Sequence, residues 1–137
     1  MAKYEHLPLF KKAYDFNLYF AKLSKGLPKD FKYGLATEVR ELSLSIIDNI
    51  ILANNSLEKS EFLKKILVVI ERIKIKARLL KDLNAISLKS YKFIFEKLVD
   101  ISKQTNAWLK WSGAASWKMI VIATASSVIP TEVEGSV

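Results

Sequence analysis

The sequence predicts an all-α protein: an antiparallel up-down-up-down four-helix bundle with an irregular C-terminal extension. Three observations predict it. Apolar residues recur at alternating spacings of three and four along most of the chain, which puts one buried stripe on each helix. No segment before residue 115 alternates with a period of two over a useful length, so a sheet is not expected in the main body. Gly and Pro are few, 4 and 3 in 137 residues, which disfavours a turn-rich all-β fold. The length is that of about one domain and is enough to bury a core. With 50% apolar and 26% charged residues the balance is that of a globular protein.

The first helix is predicted over residues 7–25. Pro8 fits a first turn, where its missing N–H has no partner to lose. Leu9, Ala13, Phe16, Phe20, Leu23 and Leu27 form its seam, and Phe10, Tyr14 and Leu18 form a second strip beside it. One strip is enough to join a core. The second is read as a wider core face, with contact to another chain as the alternative. Gly26 stops this helix and Pro28 opens the next, predicted as one rod over residues 28–54. Phe31, Leu35, Val39, Leu42, Ile46, Ile50 and Ala53 are its seam, and Leu44, Ile47 and Ile51 make a further strip. So much apolar circumference predicts burial on two sides. Arg40 and Glu41 fall beside these strips, where an ion pair would count for more than on open surface.

Asn54, Asn55 and Ser56 are a turn cluster, with Ser56 the predicted N-cap of a third helix over residues 56–83. Its seam is Leu63, Ile66, Ile70, Ile73, Ala77 and Leu80. Glu58 and Glu61, in its first turn, suit the positive end of the helix dipole. Lys64, Lys65, Arg72, Lys74, Lys76, Arg78 and Lys81 fill the other sides, so the wet surface is mostly cationic. Asn84 ends this helix, and Ser87 caps a fourth over residues 88–111. There Tyr91, Ile94, Leu98, Ile101, Thr105 and Trp108 form one strip, which Leu88, Phe95 and Val99 widen. Its polar side is also net basic, with Lys89, Lys92, Lys97, Lys103 and Lys110 against Glu96 and Asp100. Short links make neighbouring helices antiparallel. Residues 1–112 are therefore the bundle. Residues 113–137 are the extension, in which Gly113, Ala114 and Ala115 break the helix ahead of Ile120, Val121, Ile122 and Pro130. It is expected to be disordered or loosely packed outside the bundle.

The formal net charge of +8 favours a polyanionic partner, RNA, DNA or an acidic protein face. A protein that merely happens to be basic is the plain alternative. The sequence has no cysteine, which excludes disulfides and thiolate chemistry and fits a reducing cytoplasm. Its first residues lack the apolar core of a secretory signal. The longest apolar stretch, residues 119–129, is too short to cross a bilayer. A soluble cytoplasmic protein with no membrane contact is expected. The one histidine, His6, has no Glu-x-x-His context and no credible catalytic partners. Gly26 and Gly34 stand apart and make no phosphate loop. No enzyme, no metal and no cofactor are expected. The positive signal is in the cations. Lys65, Arg72 and Lys76 align on one flank of the third helix, and Lys74, Arg78 and Lys81 on the other. Such columns can follow a phosphate backbone, giving affinity without sequence reading; a solvated face is the alternative. Trp108 and Trp111, beside Lys110, could stack bases. Packing or oligomer contact is the favoured reading of such a pair.

The stretch LPLFKKAYDFNLYFAKLSKGLPKDFKYGLATEVRELSLSIIDNIILAN carries a Leu27-Pro28-Lys29 junction, a Tyr33-Gly34-Leu35 entry and a long helix over residues 38–54. It resembles the first hairpin of a small bacterial four-helix-bundle superfamily. That superfamily includes proteins encoded in intervening sequences of large ribosomal RNA genes. It also includes the accessory variability determinant (Avd) proteins of diversity-generating retroelements. The third helix, with ILVVIERIKIKARLLKDL, and the fourth, ending in Trp108-Leu109-Lys110, are more similar to the Avd branch. The resemblance spans residues 4–112 and rests on diffuse helical patterns, not on a catalytic signature. It implies a non-catalytic accessory protein that assembles as a homopentameric barrel. Such a protein binds the retroelement's reverse transcriptase and its template RNA or cDNA, and is needed for mutagenic copying of a template repeat into a variable gene. The intervening-sequence branch implies instead a structural oligomer of unknown role. An obligate oligomer accounts for the double apolar strips. The candidate subunit contacts are then Phe10, Tyr14, Leu18, Leu44, Ile47, Ile51, Trp108 and Trp111, and the candidate nucleic-acid contacts are Lys65, Arg72, Lys74, Lys76, Arg78 and Lys81.

Overall fold

The computed structural model describes residues 4–112; the extension expected over residues 113–137 lies outside the described residues. After one 3-10 turn at Tyr4–His6 come α1 (Pro8–Lys25), α2 (Lys29–Lys32), α3 (Leu35–Asn54), α4 (Ser60–Asp82) and α5 (Leu88–Ser112). The four long rods are α1, α3, α4 and α5, and α2 is one turn within the α1–α3 link. Among the described residues there is no strand. α3 packs on α1 and α4, and α5 packs on α4 and α1, so neighbours in the chain are neighbours in space. Contacts between rods run in reversed order. Lys12 of α1 meets Asp100 of α5, whereas Tyr19, later in α1, meets Phe93, earlier in α5. Lys74 and Lys81 of α4 likewise lie over Phe95 and Tyr91 of α5. The rods are antiparallel, and the architecture is the up-down-up-down four-helix bundle.

The predicted seams are the core. Leu63, Ile66, Ile70, Ile73, Ala77 and Leu80 of α4 are all fully buried, as are Ile94, Leu98 and Ile101 of α5 and Val39, Ile46 and Ile50 of α3. Burying one Leu or Ile is worth roughly 1.5–3 kcal/mol, so these stripes set how each rod is rotated. The core also holds polar groups: Thr105, which the spacing placed in the α5 strip, and Ser43, which it did not reveal. Ser43 is 1% exposed, inside the α3 seam. Its hydroxyl donates to the Val39 carbonyl at 2.7 Å, and its carbonyl accepts from Asn17 Nδ2 at 2.9 Å. The same Asn17 amide donates to the Ala13 carbonyl at 2.8 Å, so both of its protons are used. Thr105 Oγ1 donates to the Ile101 carbonyl at 2.7 Å. Each buried polar group thus has a partner, which removes the cost of drying it.

Several boundaries and faces differ from the sequence reading. The rod predicted over residues 28–54 is broken between α2 and α3 at Tyr33 and Gly34. The chain passes there so close to itself that a Cβ on Gly34 would lie 2.7 Å from the Asp30 carbonyl oxygen. Thr37 Oγ1 donates to the Lys32 carbonyl at 2.8 Å and ties the two pieces together. α4 begins at Ser60, and Ser56 is not its N-cap; Lys59 holds that position. Lys59 Nζ donates to the Ala53 and Ser56 carbonyls at 2.9 and 2.7 Å, so it closes the end of α3 and leaves Ser56 in the connection. Glu58 falls outside α4, and only Glu61 remains in its first turn.

The other helix ends are as predicted. Asn84 takes a left-handed φ of 62°. Its N–H donates to the Lys81 carbonyl at 2.9 Å and that of Ala85 to the Leu80 carbonyl at 2.8 Å, the two bonds of a Schellman turn. The N–H of Ser90 donates to Ser87 Oγ at 3.0 Å, capping α5.

The outer strips of α1 and α3 widen the core only in part: Phe10 and Ile47 pack against it, and the exposed members do not. Tyr14, Leu18 and Leu44 are 51%, 45% and 54% exposed, so α3 is not buried on two sides within one chain. Leu88 and Phe95 are exposed as well, at 56% and 41%. A rod at the corner of a four-rod block touches two neighbours and leaves its outer face open. Arg40 and Glu41 are exposed and, among the described residues, form no ion pair.

Gly34→Ala is expected to destabilise the protein by about 1–3 kcal/mol, because the added methyl meets a backbone oxygen that cannot swing aside. Asn84→Val should cost about 1–2 kcal/mol, since a β-branched side chain resists a left-handed turn. Urea titration followed by circular dichroism checks both.

Candidate nucleic-acid interface

α4 carries seven basic residues against three acidic ones, and α5 five against two, whereas α3 has one against three. With the seam of α4 turned inward, its cations fall on two flanks. Lys65, Arg72 and Lys76 run down the α3 side, and Lys74, Arg78 and Lys81 run down the α5 side. The structure therefore does not bring the six candidates into one patch.

On the α3 side, Lys76 Nζ donates to Glu38 Oε1 across the helix pair at 2.7 Å. Lys65 Nζ is 3.4 Å from Glu61 Oε2 and 5.5 Å from the centre of the Phe62 ring. Arg72 is exposed and, among the described residues, has no carboxylate within 4.0 Å. On the α5 side each lysine has a ring as well as an acid. Lys74 Nζ is 3.0 Å from Glu71 Oε2 and 5.2 Å from the Phe95 centroid. Lys81 Nζ is 3.0 Å from Asp82 Oδ1 and 5.0 Å from the Tyr91 centroid. Arg78 Nε shares Asp82, at 3.7 Å from Oδ2. The Tyr91 and Phe95 rings lie 6.3 Å apart, and beside them opens a hollow of about 240 Å³ lined by Tyr91, Lys92, Phe95 and Glu96.

Five of the six candidate cations thus have a carboxylate partner. These are surface pairs, and the acids in them are at least half exposed. Such pairs are worth about 0–1 kcal/mol. A phosphate can compete for the same cation, so the pairing lowers the local field without cancelling it. Among the described residues each flank keeps three cations against two carboxylates, with Arg72 unpaired on the α3 side and Asp82 shared by two cations on the α5 side. The α3 side faces the one net-acidic rod.

Tyr91 is half-buried against the core, as its place in the core strip of the fourth helix predicts, but Phe95, assigned to the same face, is exposed, and sequence reasoning missed that both rings line this groove. Their position opposite the Lys74 and Lys81 column depends on which neighbour each flank meets, and helical periodicity within one segment does not contain that.

Six of the eight candidate subunit contacts share one face. The Asn17–Ser43 bond fixes α1 against α3. Leu18 and Leu44 each follow one residue later and flank the outside of the same groove, with Tyr14 and the half-buried Phe10, Ile47 and Ile51. Trp108 and Trp111 are on α5, which packs along the other side of α1. Trp108 is half-buried against the core, and Trp111 is 87% exposed. His6 is exposed in the first turn, and among the described residues no group of His, Cys, Asp or Glu could hold a metal ion. No described helix is long and apolar enough to cross a membrane.

Glu38→Gln breaks the Lys76 pair while keeping the side chain's shape. It is expected to change unfolding free energy by less than about 1 kcal/mol, as read from urea midpoints. A larger loss would mean that this pair is structural rather than an exchangeable surface contact.

A family model described as bAvd-like matches residues 8–112. The match opens at the first residue of α1 and closes at the last of α5, so it covers all four rods. The family is of an accessory, non-catalytic kind. A search of curated proteins returns no match. With its fold and most of its length accounted for by that model, this chain belongs to the bAvd-like family.

Proposed function

We propose that the protein is an accessory subunit of a diversity-generating retroelement, working in the cytoplasm as an oligomeric barrel. In this reading it binds the reverse transcriptase and the template RNA or cDNA and performs no catalysis itself. The observation that carries the reading is the bAvd-like match across all four rods. The net charge of +8, concentrated on α4, α5 and α1, supports a polyanionic partner. The exposed apolar face along α1 and α3, with Tyr14, Leu18 and Leu44, supports assembly, because a lone chain gains nothing from keeping it in water. Five copies arranged head to tail would gather the basic rods on a ring. A second reading is a structural oligomer of the intervening-sequence type. It is favoured by the ion pairs on five of the six candidate cations.

Binding of a labelled RNA should weaken by about tenfold or more between roughly 50 and 200 mM salt, as counterion release requires for a few phosphate contacts. Arg72→Glu combined with Arg78→Glu should weaken it at low salt. Absence of binding even at low salt overturns the nucleic-acid reading and leaves the structural oligomer. Light scattering should give five times the protomer mass, and Leu18→Glu with Leu44→Glu should release helical monomers. A wild-type monomer at micromolar concentration would sink the barrel. Co-purification with a reverse transcriptase encoded alongside tests the partner.

A further inference from the structure

Phosphate binding needs cations, but the α4–α5 groove also exposes rings. Phe95 is 41% exposed although the core beneath it is already filled by Ile94 and Leu98. Tyr91, half-buried with part of its ring against the core, lies one helical turn earlier, with its ring 6.3 Å away. Each ring has its own lysine from the facing rod, at 5.0 Å for Lys81 and 5.2 Å for Lys74, and Arg78 stands between those lysines in the chain. Cations on α4 therefore face rings on α5 across one groove.

We infer that this groove is a single-strand site, in which unpaired bases stack on Phe95 and Tyr91 while Lys74, Arg78 and Lys81 hold the phosphates. The inference rests on the proposed nucleic-acid function and adds the class of nucleic acid. Every base has a π-face, so stacking on aromatic side chains tolerates any sequence. In a duplex those faces are already covered by neighbouring bases, and a ring on a helix surface has nothing to stack on. The lysine stems are flexible, and an ammonium resting over a ring can swing to a phosphate when a base takes its place. The groove also has a direction across its width. Glu96 stands on the α5 rim and repels phosphate, although Lys92 beside it offsets part of this. The backbone then runs along α4, and the bases point toward α5.

The test uses the full chain with three probes at low salt: a short oligothymidylate, a single-stranded RNA of mixed sequence, and a DNA duplex of similar length. Phe95→Ala should weaken both single strands about tenfold and leave the duplex unchanged, and Phe95→Trp should restore them. Phe95 is exposed, so the variant should keep its helical circular dichroism and its melting temperature. Lys74→Glu should weaken all three probes. If Phe95→Ala leaves single-strand affinity unchanged while Lys74→Glu lowers it, the groove binds phosphate alone. Stacking is then wrong, and the nucleic-acid reading survives. Equal losses on duplex and single strand overturn the stacking too. If the wild-type chain binds no probe, the underlying reading fails with it.

Discussion

Leu63, Ile66, Ile70, Ile73, Ala77 and Leu80 must leave water together, and α4 can bury them only with a rod on each side. Everything outside that seam follows from it. An α-helix advances about 100° per residue, so once the seam points inward every other side chain of α4 has a fixed bearing. Turning the rod by one residue would lift Ile70 toward water and drive Glu71 inward, an exchange that loses apolar burial and strands a charge. The distribution of cations around α4 is thus a by-product of where its aliphatics had to go. The surface is held as firmly as the core that orients it.

The two flanks of α4 diverge because their neighbours differ. α3 carries three acids and one base along its whole length, and Glu38 reaches Lys76 directly. α5 carries five lysines and two acids along its whole length, and it sets the Tyr91 and Phe95 rings against Lys81 and Lys74. Identical spacing on one helix therefore yields a flank paired across to an acid and a flank set against rings. The exposed apolar side chains of α1 and α3 lie in a third direction, away from the α4–α5 groove. The face proposed for a neighbouring subunit and the groove proposed for an anionic strand therefore use different surfaces.

The fold was legible because it rests on periodicity, and each seam is long enough to repeat several times. Stops written in local chemistry were legible too: Asn84 tolerates the left-handed turn, and Ser87 offers a hydroxyl to an unpaired N–H. The break at Gly34 was not, because the close approach to Asp30 that reserves this position for glycine exists only after the chain has turned. Ser56 looked like a cap by type, but Lys59 reached back to the end of α3 and moved the start of α4. The cations themselves were found by counting residues. Glu61, Glu71 and Asp82 are near them in the same helix, but the partners from other rods, Glu38, Tyr91 and Phe95, were not found. Faces are local properties and grooves are not, which is why Phe95 was assigned to the interior.

The amide of Asn17 bridges its own helix to the carbonyl of Ser43. Branched aliphatics are close to interchangeable in a core of fixed volume. The amide is not, because it puts one proton on each rod, and removing it leaves two carbonyls without that donor. It acts as a clasp between α1 and α3 at one point along their length. Evolution can then reshuffle Leu, Ile and Val along those rods with wide latitude, provided that this small polar latch is left in place.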